Sequence, residues 1–211
     1  MPENDDKPKQ KLYYDQRSVA LRTTQCVYFV QEHDKLSMIE LLLHNYKDTQ
    51  IVVVVKSKKK ADILSEFLIS KEFKAIAVHG NHRQAHQIEA VTGFHLGALN
   101  ILITTDMIFQ TLDLDNINFV LSYDLPDLTQ DYYNRLSFMH EKGEAINFVC
   151  PEDDRLLSDI EFNMKQEIEE KVLDGFVASP TSNHSGSTKK DKKKKPRHRK
   201  AKAKVKKEKE D

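Results

Sequence analysis

Residues 51–78 read IVVVVKSKKKADILSEFLISKEFKAIAV. The stretch opens with an unbroken β-branched run, Ile51–Val55. A run that is apolar at every position, not at every second one, belongs to a strand covered on both faces of a parallel sheet. Lys59–Ile69 then adopts helical period through Ile63, Leu64, Phe67 and Leu68. Ala75–Val78 returns to strand character. Strand, helix and strand in that order form a βαβ unit, whose two strands lie parallel in one sheet.

The alternation continues outward. Upstream, Gln25–Val30 is rich in β-formers. Lys35–Leu43 places Leu36, Ile39, Leu42 and Leu43 on one helical face, with Asp34 as N-cap. Downstream, Arg83–Phe94 reads as a helix ended at or soon after Gly93. Ile101–Ile103 reads as a strand, Met107–Thr111 as a short helix and Phe119–Ser122 as a strand. Leu128–Met139 reads as a helix and Ala145–Val149 as a strand. Asp153–Leu173 carries Leu156, Leu157, Ile160, Met164, Ile168 and Leu173 near helical spacing, which predicts one long closing helix. The expected fold class is α/β: a three-layer αβα domain with a mainly parallel sheet. Loops at residues 56–58, 79–82, 104–106 and 123–127 then share the carboxyl edge of the sheet, where ligands of such folds bind.

The formal net charge of zero hides an asymmetry. Residues 189–211 hold 14 Lys/Arg against 4 Asp/Glu, a net of +10, so residues 1–188 carry −10. The acidic body repels a polyanion and the basic tail attracts one. From Ala178 the composition turns to Ser, Thr, Asn, Gly and Pro, then to Lys. Such a segment has too little apolar surface to offset its ordering entropy. The expected division is a polar segment over 1–21, one folded domain over 22–175 and a disordered basic tail over 176–211. Cys26 and Cys150 stand 124 positions apart, outside any CxxC pair, which points away from a disulfide framework or a zinc site. The lead MPENDDKPKQ has no apolar core, and no apolar run approaches the ~20 residues that span a bilayer. The expectation is no membrane association and a cytoplasmic location, nuclear in a eukaryote.

Six segments in order resemble the C-terminal RecA-like lobe of DEAD-box RNA helicases. VVVKSKKKAD at Val53–Asp62 is similar to the family's IVFxxTKKxAD, and AVHGNHRQ at Ala77–Gln84 to LHGxxxQ. Phe94 and Gly97 fit the FRxG step. ILITTDMIFQTLDL at Ile101–Leu114 resembles VLVATDVAARGLDI, and FVLSYDLP at Phe119–Pro126 resembles VINYDLP. PEDDRLLSDIE at Pro151–Glu161 resembles the helix that closes the lobe. The resemblance implies a RecA-like fold. It also implies RNA-facing roles for Ser57, Gly80, Gln84, Thr104 and Thr105, with Asp106 bracing that loop. Asp113 matches the carboxylate that contacts the nucleotide ribose, and Arg135 the first arginine of the last motif; both read as vestigial nucleotide-binding residues.

The departures matter as much. The family's last motif, YxHRxGRxGRxGxxG, becomes YYNRLSFMHEKG at Tyr132–Gly143, about three residues shorter. The two arginines that reach the γ-phosphate in the family fall on Phe138 and Glu141. An arginine finger is worth about 10³–10⁵ in rate in comparable systems, and neither replacement supplies a cation. Gln110 and Thr111 replace the Arg–Gly of ARGLD, and His86 and Gln87 replace a Glu and an Arg beside Gln84. Neither a GxxxxGK[ST] phosphate cradle nor a DExD metal-binding motif occurs in the sequence.

Three sharper readings yield to plainer ones. His79, His82 and His86 have spacing that would suit a metal on one helical face, but His79 belongs to the HG step and the others read as turn residues. Asp124 and Asp127 suggest an acid–base pair, but Asp124 belongs to the YDLP step. Cys150 ends a core strand and reads as a small buried hydrophobe. No metal, no cofactor and no catalytic residue is therefore expected. The basic tail, with Lys192, Lys193, Lys194, Lys195, Arg197 and Arg199, is expected to bind RNA or ribonucleoprotein through phosphate neutralisation. No aromatics interleave those cations, so base stacking is not expected there. Two alternatives stay open: a half-site that takes ATP once a separate lobe completes it, and a protein-interaction module docking a partner on the domain face.

Overall fold

The computed structural model describes residues 22–47, 49–114 and 117–179. Among the described residues seven strands form one sheet in the order β3-β4-β2-β5-β6-β1-β7, and every neighbouring pair is parallel. The strands are β1 Thr24–Phe29, β2 Ile51–Val55, β3 Ala75–Val78, β4 Ile101–Thr105, β5 Ile117–Ser122, β6 Met139–Val149 and β7 Glu169–Glu170. The helices are α1 Lys35–His44, α2 Lys58–Ser70, α3 Gln84–His95, α4 Asp106–Phe109, α5 Thr129–Ser137 and α6 Asp154–Met164. Short 3-10 turns at Glu32–Asp34 and Pro151–Asp153 lead into α1 and α6.

β2 lies between β4 and β5, and its five residues are at most 1% exposed. Val52 and Val54 face a core shared with Leu102, Phe109, Val120, Leu136 and Ile160. Ile51, Val53 and Val55 face the opposite core, with Ile39, Leu42, Leu64, Leu68 and Ile103. This two-sided burial is why the run shows no alternation. Each fully buried aliphatic side chain contributes roughly 1.5–3 kcal/mol.

Several boundaries differ from expectation. Asp34 occupies the N-cap position of α1 but does not cap it; its carboxylate accepts the Ser179 N–H at 3.0 Å. Gly93 lies within α3, and the reversal comes at Gly97, with φ of +73°. A Cβ on Gly93 would meet Leu99 Cδ1 at 3.0 Å, so this glycine serves close packing and not termination. β6 begins at Met139, a residue whose apolar spacing had extended the preceding helix. The long closing helix does not form. α6 stops at Met164 because Lys165 turns left-handed, with φ of 57°. Ile168 and Leu173 are buried along an extended segment that adds β7 beside β1. Helical spacing cannot distinguish those two apolar residues from another turn of helix.

Candidate nucleic-acid interface

The carboxyl ends of β2, β3, β4 and β5 deliver the chemistry. Beyond β2, Ser57 Oγ accepts the Lys60 N–H at 3.2 Å and caps α2. Among the described residues its hydroxyl proton has no acceptor, and the first-turn N–H groups of α2 form the kind of end that binds phosphate. Thr105 ends β4, half-buried. Ser57 and Thr105 line one groove of about 570 Å³ with Lys56, Lys58, Lys59, Asp106, Met107, Asp127 and Asp131. Lys56 pairs with Asp127 at 3.1 Å. The groove's cations and carboxylates are thus nearly balanced.

Gly80 is exposed beside this groove; a Cβ there would lie 3.6 Å from Lys58 Nζ and 3.8 Å from Ile108 Cδ1. That is ordinary contact, so packing alone does not demand a glycine. Lys58 Nζ donates to Asn81 Oδ1 at 2.8 Å, which ties the loop after β3 to α2. Gln84 is exposed as the first residue of α3. Lys192–Lys195, Arg197 and Arg199 lie outside the described residues.

Thr104 departs from its expected role. It is fully buried, and its hydroxyl has no hydrogen-bond partner among the described residues. Consecutive strand residues point to opposite faces, so only one of the two threonines reaches the groove.

Arg135 departs further. The side chain is 1% exposed. Its Nε and Nη2 donate to the Asp106 carboxylate at 2.6 and 2.7 Å, and its Nη1 donates to the Asp124 carbonyl at 2.8 Å. All three nitrogens are engaged within the domain, so Arg135 braces α5 against the strand ends. The brace does give Asp106 the loop-holding task expected of it. Asp113 is exposed on the segment after α4, and the structure does not bring it together with Arg135.

Phe138 is half-buried, its ring 4.9 Å from that of Phe109 and tilted by 49°. Such an aromatic pair adds about 0.5–1.5 kcal/mol beyond its buried area. Glu141 lies in β6. Gln110 and Thr111 are exposed, and the Thr111 hydroxyl donates to the Ile108 carbonyl. His86 Nε2 lies 3.3 Å from the Ala77 carbonyl, and Gln87 donates to the His82 carbonyl.

Sequence reasoning missed an ion network centred on the buried Asp124 and Lys35. Its Oδ1 accepts Lys35 Nζ at 2.7 Å and Lys60 Nζ at 2.9 Å, and its Oδ2 accepts the Lys56 N–H at 3.1 Å. Glu32 closes the network, 2.9 Å from Lys35 and 2.6 Å from Lys60. Burial alone would raise the Asp124 carboxyl, but the hydrogen bonds and charges of Lys35 and Lys60, with the Lys56 N–H, hold it below the usual carboxylate range. Burial alone would lower the Lys35 ammonium, yet Asp124 and Glu32 drive it upward. Cys150 is buried beside this network, and desolvation raises its thiol to about 11. That thiol is protonated at neutral pH, in keeping with a packing role.

No helix of the described residues is long and apolar enough to cross a membrane. The helicase conserved C-terminal domain family matches residues 33–146. The ATP-dependent RNA helicase eIF4A of Mycosarcoma maydis is 34% identical over 148 residues, 68% of this chain and 36% of that protein. The ATP-dependent RNA helicase vasa of Drosophila melanogaster is 34% identical over 138 residues, 64% of this chain and 21% of that protein. The chain therefore spans about a third or less of the relatives it matches. The crystal structure of a DEAD box protein from the hyperthermophile Methanococcus jannaschii superposes with a TM-score of 0.67 at 27% identity, over 73% of this chain and 43% of that one. The seven-stranded parallel sheet and the motif order agree with these likenesses: the chain belongs to the helicase conserved C-terminal domain family, and its fold is similar to the C-terminal RecA-like lobe of DEAD-box proteins.

Proposed function

We propose that this chain is a non-catalytic RNA-binding protein, associated with ribonucleoprotein, in which the groove orients the RNA and the basic tail supplies most of the affinity. The observation that carries the reading is a division along the sheet edge. Ser57 and Thr105 remain together in an open groove at the N-terminus of α2. Arg135 and Phe138, which stand where the family handles a nucleotide, are spent on an internal ion pair and an aromatic contact. The near-balanced groove positions a backbone without attracting it from a distance, which leaves long-range attraction to residues 189–211. Cytoplasmic, or in a eukaryote nuclear, placement fits such a protein.

The reading of an ATPase half-site completed in trans keeps Asp113, while Arg135 is engaged within the domain. The test compares single-stranded RNA binding by the full chain and by a chain ending at Ala178, across a salt series. The full chain is expected to bind more tightly at low salt, with log affinity falling linearly in log salt. Equal affinity of the two chains at low salt sinks the proposal.

A further inference from the structure

At the end of β3, the loop into α3 turns back against α2. His79 is 3% exposed, and its Nε2 lies 2.8 Å from Asp62 Oδ1 on α2. His82 stacks on it, with ring centroids 3.8 Å apart and an interplanar angle of 22°. His86 meets the far side of His82 edge-on, at 4.5 Å and 60°. One ligand atom each from Asp62, His79 and His82 lies within 4.8 Å of the other two.

We propose that Asp62, His79 and His82 form a binding site for zinc. Two imidazole nitrogens and one carboxylate oxygen make a borderline donor set, suited to zinc and not to magnesium or calcium, which take oxygen ligands. Tetrahedral zinc takes four ligands, so a water completes the site. Zinc takes its ligands at ~2.0–2.2 Å along lone pairs that lie in the ring planes, so binding requires His82 to swing out of its stack on His79. Coordination through Nε2 puts the ring proton of a neutral imidazole on Nδ1. Two long backbone contacts are then given up: Asn81 N–H to His79 Nδ1 at 3.4 Å and His79 N–H to His82 Nδ1 at 3.3 Å.

The site differs from the one that His79, His82 and His86 suggest by spacing. The third ligand is the carboxylate of Asp62, 17 residues from His79 and on α2. His86 turns its Nε2 to the Ala77 carbonyl and packs against His82 instead. Bound zinc would clamp α2 to the β3–α3 loop. It would also place a divalent charge one residue from Gly80, at the margin of the groove. The site stands on its own geometry and is independent of the RNA reading.

The test titrates metal-stripped full chain with zinc chloride by calorimetry, with cobalt(II) absorption as an optical report of imidazole ligation. One equivalent is expected to bind saturably, magnesium chloride to give no such binding, and the melting temperature to rise with zinc. Asp62→Asn and His82→Gln are each expected to weaken binding by at least about tenfold and to abolish the thermal shift. His95→Gln, at the exposed end of α3, removes a histidine elsewhere and is expected to bind as the wild type does. Neither Asp62 nor His82 is in the core, so both variants are expected to fold. Absence of one-equivalent binding overturns the proposal, as does wild-type affinity in both site variants.

Discussion

Arg135 and Asp106 form a two-pronged ion pair, Nε to Oδ1 at 2.6 Å and Nη2 to Oδ2 at 2.7 Å, with the guanidinium almost wholly inside the domain. Asp106 opens α4 directly after β4, and Arg135 lies near the end of α5. The pair therefore joins two helices across the carboxyl edge of the sheet. Removing Asp106 leaves the buried guanidinium uncompensated, whereas removing Arg135 leaves a carboxylate that the groove exposes. Asp106→Asn is expected to cost about 3–5 kcal/mol, read as a lower urea midpoint at unchanged slope, and Arg135→Met less. Asp106→Asn in the Arg135→Met background is expected to cost less than it does alone.

The Asp124 network sets an acid limit. The unfolded chain protonates this carboxylate more readily than the folded one does, because its folded value is depressed from 3.8. Its stabilisation is therefore complete above that range and is lost as pH falls through the folded value. Stability is expected to drop on acidification below about pH 4. Asp124→Asn should show a smaller acid loss and a lower plateau at neutral pH. Lys35 is shifted upward, so its contribution persists at neutral pH and fails only under strongly alkaline conditions.

Ser57 has two separable duties. Ser57→Ala removes the α2 cap and is expected to cost about 1 kcal/mol. Under the RNA reading it also removes a phosphate donor. Ser57→Asn restores a capping side chain and is expected to recover stability more fully than crosslinking to RNA. Denaturation and crosslinking yields on the same three proteins distinguish the duties.

Phe138 and Glu141 predict the outcome of a mixing experiment. Adding a separate ATP-binding lobe with RNA to this chain is expected to leave ATP hydrolysis at the rate of the added lobe alone. Stimulation on the scale of about 10³ would contradict the non-catalytic reading.

The fold was legible because β2 and its neighbours are buried on two faces and their residues say so. The IVVVV run has one plausible environment. The end of the domain was less legible: Ile168 and Leu173 keep helical spacing but lie on extended chain beyond the left-handed Lys165. At the site, Ser57 and Thr105 were readable as hydroxyls at strand ends. The inward turn of Thr104 was not, because that depends on the phase of the pleat. Lys35 had no local signal at all. A lysine in the first turn of an amphipathic helix reads as solvent-facing, and only Asp124, 89 residues away, brings it inside. Asp62 was hidden for the same reason, since its partner His79 comes from another element.

β1 sits between β6 and β7, and Thr24–Phe29 pairs with Glu144–Val149. Both partners of the first strand are therefore translated after nearly all the rest of the domain. At about 5–20 residues per second, roughly 6–24 s of synthesis separates β1 from β6. Throughout that interval the apolar CVYF segment has no native neighbour on either side. Unpaired strand edges are where nascent chains associate wrongly. On the ribosome, this domain is most exposed to misassembly at its beginning, and a factor that shields residues 24–29 during translation should raise its yield more than one acting after release.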